Sequence, residues 1–183
     1  MPGALPTLST ARLVLRSFRL SDGPDVRRLA GERAVAETTL VIPHPYPEGA
    51  AEQWIATHAA ELDAGRQAHF AITSAGDGAL VGAIGLMLSR EHARAELGYW
   101  VGVPFWGRGY ATEAARAAVG FGFGTLALHR IQARHFTFNP ASGRVLQKVG
   151  MTCEGVARQA VRKWDRFEDL VTWAILSTDP RPA

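Results

Sequence analysis

Apolar and polar positions follow several distinct rhythms along this chain. Residues 13–18 (LVLRSF) read as a short strand, and the Ser-Asp-Gly-Pro-Asp cluster at 21–25 can open a helix over 24–33, with Pro24 in its first turn. Residues 40–49 are a loop stiffened by Pro43, Pro45 and Pro47. At 50–64 the period becomes helical, with Trp54, Ile55, His58 and Leu62 on one face, and Gly65 ends it. Residues 69–73 and 79–88 then read as two strands joined by the tight turn Ser74-Ala-Gly-Asp-Gly. A strand at 94–103, a loop at 104–109 and an alanine-rich helix at 110–124 follow. The pattern closes with a strand at 129–138, a short helix at 141–149, and a hairpin of 155–162 with 168–176 across Trp164-Asp-Arg. This order implies a mixed α/β (α+β) fold, with crossover helices and antiparallel hairpins in one sheet. No repeat or linker divides it, so residues 1–183 are read as a single domain.

Composition narrows the class. The chain has 183 residues, 47% hydrophobic and 20% charged, which is ordinary for one globular domain. No apolar run approaches the roughly 20 residues of a membrane span, and the first residues lack the basic-then-apolar pattern of a secretory leader. A cytoplasmic location is therefore expected. Cys153, the single cysteine, has no partner for an internal disulfide and cannot build a metal site alone; it is expected to be buried packing. Net charge is +3, and 18 of the 20 basic residues are arginines scattered singly, apart from Arg27-Arg28 and Arg162-Lys163. That is not the basic stripe of a nucleic-acid binder. Arginine does suit anionic small ligands, because its planar fork pairs with phosphate or carboxylate oxygens.

The most informative stretch runs from Glu96 to Ala114, where a strand enters the loop Trp106-Gly-Arg-Gly and a helix begins at once with Tyr110-Ala-Thr. Gly107 and Gly109 free the backbone to curl its N–H groups inward, and the helix N-terminus adds about half a positive charge. Together they form an anion cradle suited to a pyrophosphate. Arg108 is positioned to cap the same phosphates, and Thr112 offers a hydroxyl in the first turn. Two better-known phosphate loops do not match. A P-loop needs Gly-Lys-Ser/Thr, but Tyr110 and Ala111 follow Gly109; a dinucleotide fingerprint needs a third glycine, where this chain has Thr112.

At these residues the chain resembles the GNAT superfamily of N-acetyltransferases. Their acyl-CoA signature Gln/Arg-x-x-Gly-x-Gly/Ala is matched from Trp106 through Gly109 to Ala111, with Trp106 departing at the first position. The form Trp-Gly-x-Gly-Tyr-Ala-Thr-Glu-Ala resembles the RimJ/RimL-like branch, the protein N-terminal acetyltransferase type. A second stretch, Asn139-Pro-Ala-Ser-Gly-Arg-Val-Leu-Gln-Lys-Val-Gly-Met, is similar to that branch's Asn-x-x-Ser-x-x-x-Leu-x-Lys-x-Gly-Phe, with Met151 for Phe. The resemblance implies a mostly antiparallel sheet flanked by helices and splayed at a bulged strand. It implies acetyl-CoA as cosubstrate, with pantetheine on the backbone of Val101, Gly102 and Val103 and pyrophosphate on the amides of Arg108 to Thr112. Trp106, Gly107 and Tyr110 complete that turn, while Asn139 and Ser142 face the pantetheine near the thiol. Capping of a helix is the plain alternative for Asn139 and Ser142.

Acetyl transfer to an amine needs a base for the ammonium proton, donors for the developing oxyanion and a donor for the departing thiolate. Glu96 is the candidate base. Strand alternation puts it with Gly98, Trp100 and Gly102 on one face, where the glycines leave space and desolvation would suit it to proton transfer. The alternative is a sheet-face glutamate paired with Arg94 or another arginine. His135 is the reserve base, and Ser142 is the candidate donor to the thiolate. The reading is an N-acetyltransferase acting on a primary amine, a protein N-terminus or a small molecule, by direct attack in a ternary complex. The acceptor is expected between the 43–47 loop, the helix after it and the 158–168 hairpin. The rival reading is a non-catalytic acyl-CoA sensor or interaction module, and Glu96 separates the two. Metal, membrane and nucleic acid are not expected partners; a homodimer is compatible with the reading.

Overall fold

The computed structural model describes residues 5–180. Its centre is an eight-stranded sheet in the order β1-β2-β3-β4-β5-β6-β8-β7. Strands β1 (Leu8–Ser9), β2 (Leu13–Arg16), β3 (Gln67–Ser74), β4 (Leu80–Ser89) and β5 (Arg94–Val101) form a continuous antiparallel run. Helix α4 (Tyr110–Gly124) then crosses over, so β6 (Arg130–Phe136) lies parallel to β5. Beyond it β8 (Arg166–Leu176) and the edge strand β7 (Thr152–Lys163) pair antiparallel. Helices α1 (Gly23–Ala30), α2 (Arg33–Glu37) and α3 (Ala50–Asp63) link β2 to β3, and α5 (Pro140–Val149) links β6 to β7.

The expected mixed, mostly antiparallel sheet is present. One detail differs: the register of β5 with β4 runs without a shift from Arg94 to Val101, so β5 carries no bulge. The splay has another cause. β5 and β6 pair only through Arg94↔Arg130, Ala95↔Ile131 and Glu96↔Gln132. Past that point residues 97–101 keep only β4 as a neighbour and residues 133–136 keep only β8. A V-shaped opening results, with its apex at Glu96.

Alternation along β5 separates two packed layers. Ala95, Leu97 and Val101 join Ile131, Leu146 and Ile175 in a core beneath α4 and α5. Helix α4 meets the sheet through Ala114, Ala115 and Ala118, all fully buried, and small side chains permit that close approach. Gly122 serves the same end, because a Cβ there would come within 2.7 Å of Ile131 Cδ1. On the opposite face, Val26, Leu29 and Ala30 of α1 and Ala51 and Ile55 of α3 pack on Ala71 and Leu80, with Trp100 against them. Asp22, at the start of α1, takes two hydrogen bonds from the Arg16 guanidinium (2.8 and 2.9 Å) and one from the Arg19 amide, which fixes the turn out of β2.

Candidate active site

Gly102 ends β5 by donating to the Val81 carbonyl, and residues 103–105 form one tight helical turn closed by Phe105 N–H on the Gly102 carbonyl. Gly107 and Gly109 then adopt left-handed backbone (φ 72° and 79°), which a side chain would oppose. Helix α4 starts immediately, and no side chain caps it. The amides of its first turn, which a helix leaves without an internal acceptor, are therefore available to an anion. Arg108 is exposed, its guanidinium 6.0 Å from the Phe105 ring centroid.

A network that the sequence reading did not include braces this turn. Arg12, just ahead of β2, donates Nη1 to the Arg108 carbonyl (2.9 Å) and lies 4.9 Å from the Tyr110 ring centroid. Its Nε and backbone amide both donate to Glu113 (2.8 Å each), which also accepts from the Thr10 hydroxyl (2.7 Å). Beside the turn is a cavity of about 640 Å³, lined by Thr10, Arg12, Gly109, Thr112, Arg116 and Lys148 among others. Its rim is basic.

Burial pushes the Glu113 carboxyl up, but the bonds from Thr10 and Arg12 outweigh that and hold it below its ordinary value. A carboxyl held low in the fold adds stability above its ordinary value, and that stability is lost as pH falls through the folded value. Glu113→Gln is expected to cost about 1.5–3 kcal/mol at pH 7, the scale of hydrogen bonds to a charged group. The gap between variant and wild type should narrow as pH falls below the ordinary carboxylate range and the wild-type carboxyl takes up its proton; urea melts at pH 7 and across the acid range check this.

The end of β5 is less free than expected. The Trp106 indole donates to the Val101 carbonyl at 2.6 Å, and the Val103 carbonyl accepts from Trp106 N–H. Of the groups expected for pantetheine, the Val101, Gly102 and Val103 carbonyls already have partners because the 103–105 turn brings Phe105 and Trp106 back on them, and the Gly102 amide is taken by Val81 of β4. The edge of β5 that faces the opening without a second strand is residues 97–100 instead. Gly102 leaves no space either: a Cβ there would meet Leu29 Cδ2 at 2.7 Å, so it is packed under α1. Gly98 does leave room, with Met87 Cε as its nearest neighbour at 3.5 Å.

Glu96 lies at the apex of the opening on the face expected, beside the exposed Met87. Its carboxylate is held rather than bare. Arg134 donates three hydrogen bonds to it (2.9–3.0 Å) and Gln132 Nε2 a fourth (3.2 Å). The partner is Arg134, not Arg94, because the parallel register sets β6 beside Glu96 and alternation turns Gln132 and Arg134 to the same face. Glu96 keeps 26% of its side-chain exposure, enough for contact from the open face.

Across the opening, Asn139 caps α5, accepting from the Ser142 amide at 3.3 Å; the capping alternative is the geometry seen. Ser142 also meets Tyr99 of β5, whose hydroxyl is 2.7 Å from Ser142 Oγ. His135 is buried beneath α5, with Nδ1 bonded to the Phe136 carbonyl and Nε2 against Gly143. Among the described residues that Nε2 has no hydrogen-bond partner. Cys153 is exposed rather than buried, as are most residues of the edge strand β7. Among the described residues no group of three or more His, Cys, Asp or Glu is poised to hold a metal, and no helix is long and apolar enough to cross a membrane.

Where the acceptor is expected, Lys163 of the β7–β8 hairpin donates to the Leu40 and Ile42 carbonyls (3.3 Å each), joining the hairpin to the 40–49 loop. Burial pushes its amine down. On α3, His58 stacks on His69 at 4.6 Å, and burial with that neighbour lowers it to about 4, leaving it neutral near pH 7.

A family model described as an acetyltransferase (GNAT) domain matches residues 12–152. The uncharacterized N-acetyltransferase p20 of Bacillus licheniformis is 27% identical over 176 residues, 96% of this chain and 98% of that protein. The uncharacterized N-acetyltransferase YoaA of Bacillus subtilis is 46% identical over 81 residues, 44% of this chain, and the match spans about half of that relative (46%). The structure of Mycobacterium smegmatis RimJ in complex with CoA-disulfide is similar with a TM-score of 0.85 at 26% identity, over 96% of this chain and 89% of that one.

Proposed function

The chain belongs to the GNAT acetyltransferase family, and on that premise we propose that it uses acetyl-CoA to acetylate a primary amine by direct attack in a ternary complex. The observation that carries this reading is the turn at Gly107 and Gly109, which presents an uncapped helix N-terminus next to the β5–β6 opening. Acetyl-CoA supplies an activated acyl group on a thiol that can leave. The amides of Arg108 to Thr112 hold its pyrophosphate, with Arg108 closing over it and the Arg12–Glu113 brace keeping the turn in shape. Trp106 and Tyr110 wall that turn. Val101, Gly102 and Val103, together with the open edge of β5 behind them, line the path to the opening, and Asn139 and Ser142 border it from α5. That a relative was solved with a CoA-disulfide supports the choice of ligand.

Glu96 receives the proton that the acceptor amine must lose. Arg134 and Gln132 hold the carboxylate at the apex, and an incoming ammonium replaces part of the guanidinium's contact. A protein N-terminal α-amine is the favoured acceptor, on the RimJ/RimL-like form of the two motifs. A basic chain does not attract polycations, which disfavours polyamines and aminoglycosides. Thiol release from acetyl-CoA, followed across peptides with free N-termini, amino acids, polyamines and aminoglycosides, tests this. Peptide-dependent release is expected. Turnover with small amines alone would overturn the acceptor class, and tight acetyl-CoA binding with no turnover on any amine would favour a sensor.

A further inference from the structure

Tyr99 stands on β5 three residues past the last β5–β6 pair, and Ser142 stands in the first turn of α5. Their hydroxyls are 2.7 Å apart, so one hydrogen bond closes the opening from its two sides. The Ser142 carbonyl, 3.3 Å from Tyr99 Oη, is a second and more distant acceptor for the same phenol proton, and either hydroxyl of the closer pair can donate. We propose that Tyr99 is a positioning residue that donates to Ser142 Oγ, so that the serine's own proton points into the opening and meets the sulfur of the departing thiolate. This rests on the acetyltransferase reading above and adds a residue to it.

The chemistry balances without moving the tyrosine proton. The acceptor's ammonium gives one proton to Glu96; its nitrogen then forms the new C–N bond and loses its second proton to solvent, while the C–S bond breaks with its electron pair on sulfur. Ser142 stabilises the sulfur anion by a hydrogen bond and keeps its own proton. Tyr99 keeps its proton throughout because burial pushes its phenol up to about 12, against the smaller opposing effect of Ser142. An oxygen that accepts one hydrogen bond donates a stronger one. The first turn of α5, ten residues long, adds a favourable dipole for an anion at the same place.

The test reads binding as well as rate. Calorimetry at about pH 9, above the ordinary thiol value of about 8.5, compares CoA with desulfo-CoA, so that only the sulfur's contribution remains. Wild type should favour CoA about tenfold, the scale of one hydrogen bond to an anion. Tyr99→Phe and Ser142→Ala should each lose most of that preference, and the double variant should lose no more than either alone. Desulfo-CoA affinity should be unchanged in all of them, which separates the role from damage to the fold. Acetyl transfer should show the same non-additivity in kcat, with KM for acetyl-CoA retained. A preference unaffected by Tyr99→Phe, or losses that add, would overturn the role of Tyr99 while leaving the family reading standing. Failure of wild type to bind either ligand would overturn the acetyl-CoA reading and this proposal with it.

Discussion

Glu96→Gln is expected to reduce kcat/KM for acetyl transfer by 10²- to 10⁴-fold near neutral pH, the usual range for a positioned general base. The amide preserves size and still accepts from Arg134, so the apex of the opening should keep its shape. Only the ability to take a proton is lost. Acetyl-CoA affinity should stay within a factor of about two, because Glu96 belongs to the amine side of the site. The variant's rate should also recover as pH approaches the amine's own ionisation, where the acceptor arrives already neutral. A variant that retained wild-type rates across pH 6 to 9 would remove Glu96 from the mechanism. The four hydrogen bonds it receives from Arg134 and Gln132 would then be its whole purpose.

The second large effect belongs to the turn. Replacing Gly107 and Gly109 together with alanine should weaken acetyl-CoA binding about a hundredfold, since each left-handed residue with a Cβ costs roughly 1–2 kcal/mol and the two share one turn. Neither position is crowded: a Cβ at Gly107 would meet nothing within 4 Å, and one at Gly109 only Arg12 Nη2 at 3.5 Å. The loss would therefore come from backbone conformation, which aims the amides, and not from collision. The global fold should persist, because α4 is anchored by Ala114, Ala115 and Ala118. Calorimetry with a thermal melt of the same protein separates the two: weaker binding at a preserved Tm is expected, while unchanged affinity would contradict the cradle.

Much of this was legible before the structure, for physical reasons. Glycines and alanines between residues 107 and 122 mark a turn and a closely packed helix, and both are where the pattern puts them. β1 and α2 are invisible in the sequence because two residues and five residues are too few to show a period. Gly102 illustrates a different limit. A missing side chain suggests open space, yet Leu29 from α1 fills it, and local pattern says nothing about what another element brings. Glu96 with Arg134 and Tyr99 with Ser142 lie 38 and 43 residues apart, so both depend on how β6 and α5 return beside β5. A partial signal existed: Gln132 and Arg134 alternate on one strand and must share a face. Cys153 was misread because buried cysteines are common, whereas β7 is an edge strand exposed along most of its length.

The central claim, that the turn and the opening deliver an acetyl group directly to an amine, is tested most directly by following a labelled acetyl group. Wild type is incubated with acetyl-labelled acetyl-CoA, with and without a panel of peptide amines, and protein and amines are separated and weighed by mass spectrometry. The label should appear on an amine nitrogen, should need that amine to leave the thiol, and should never accumulate on the protein. Label retained on the protein, or acetyl-CoA bound and recovered intact with every amine, would contradict the account.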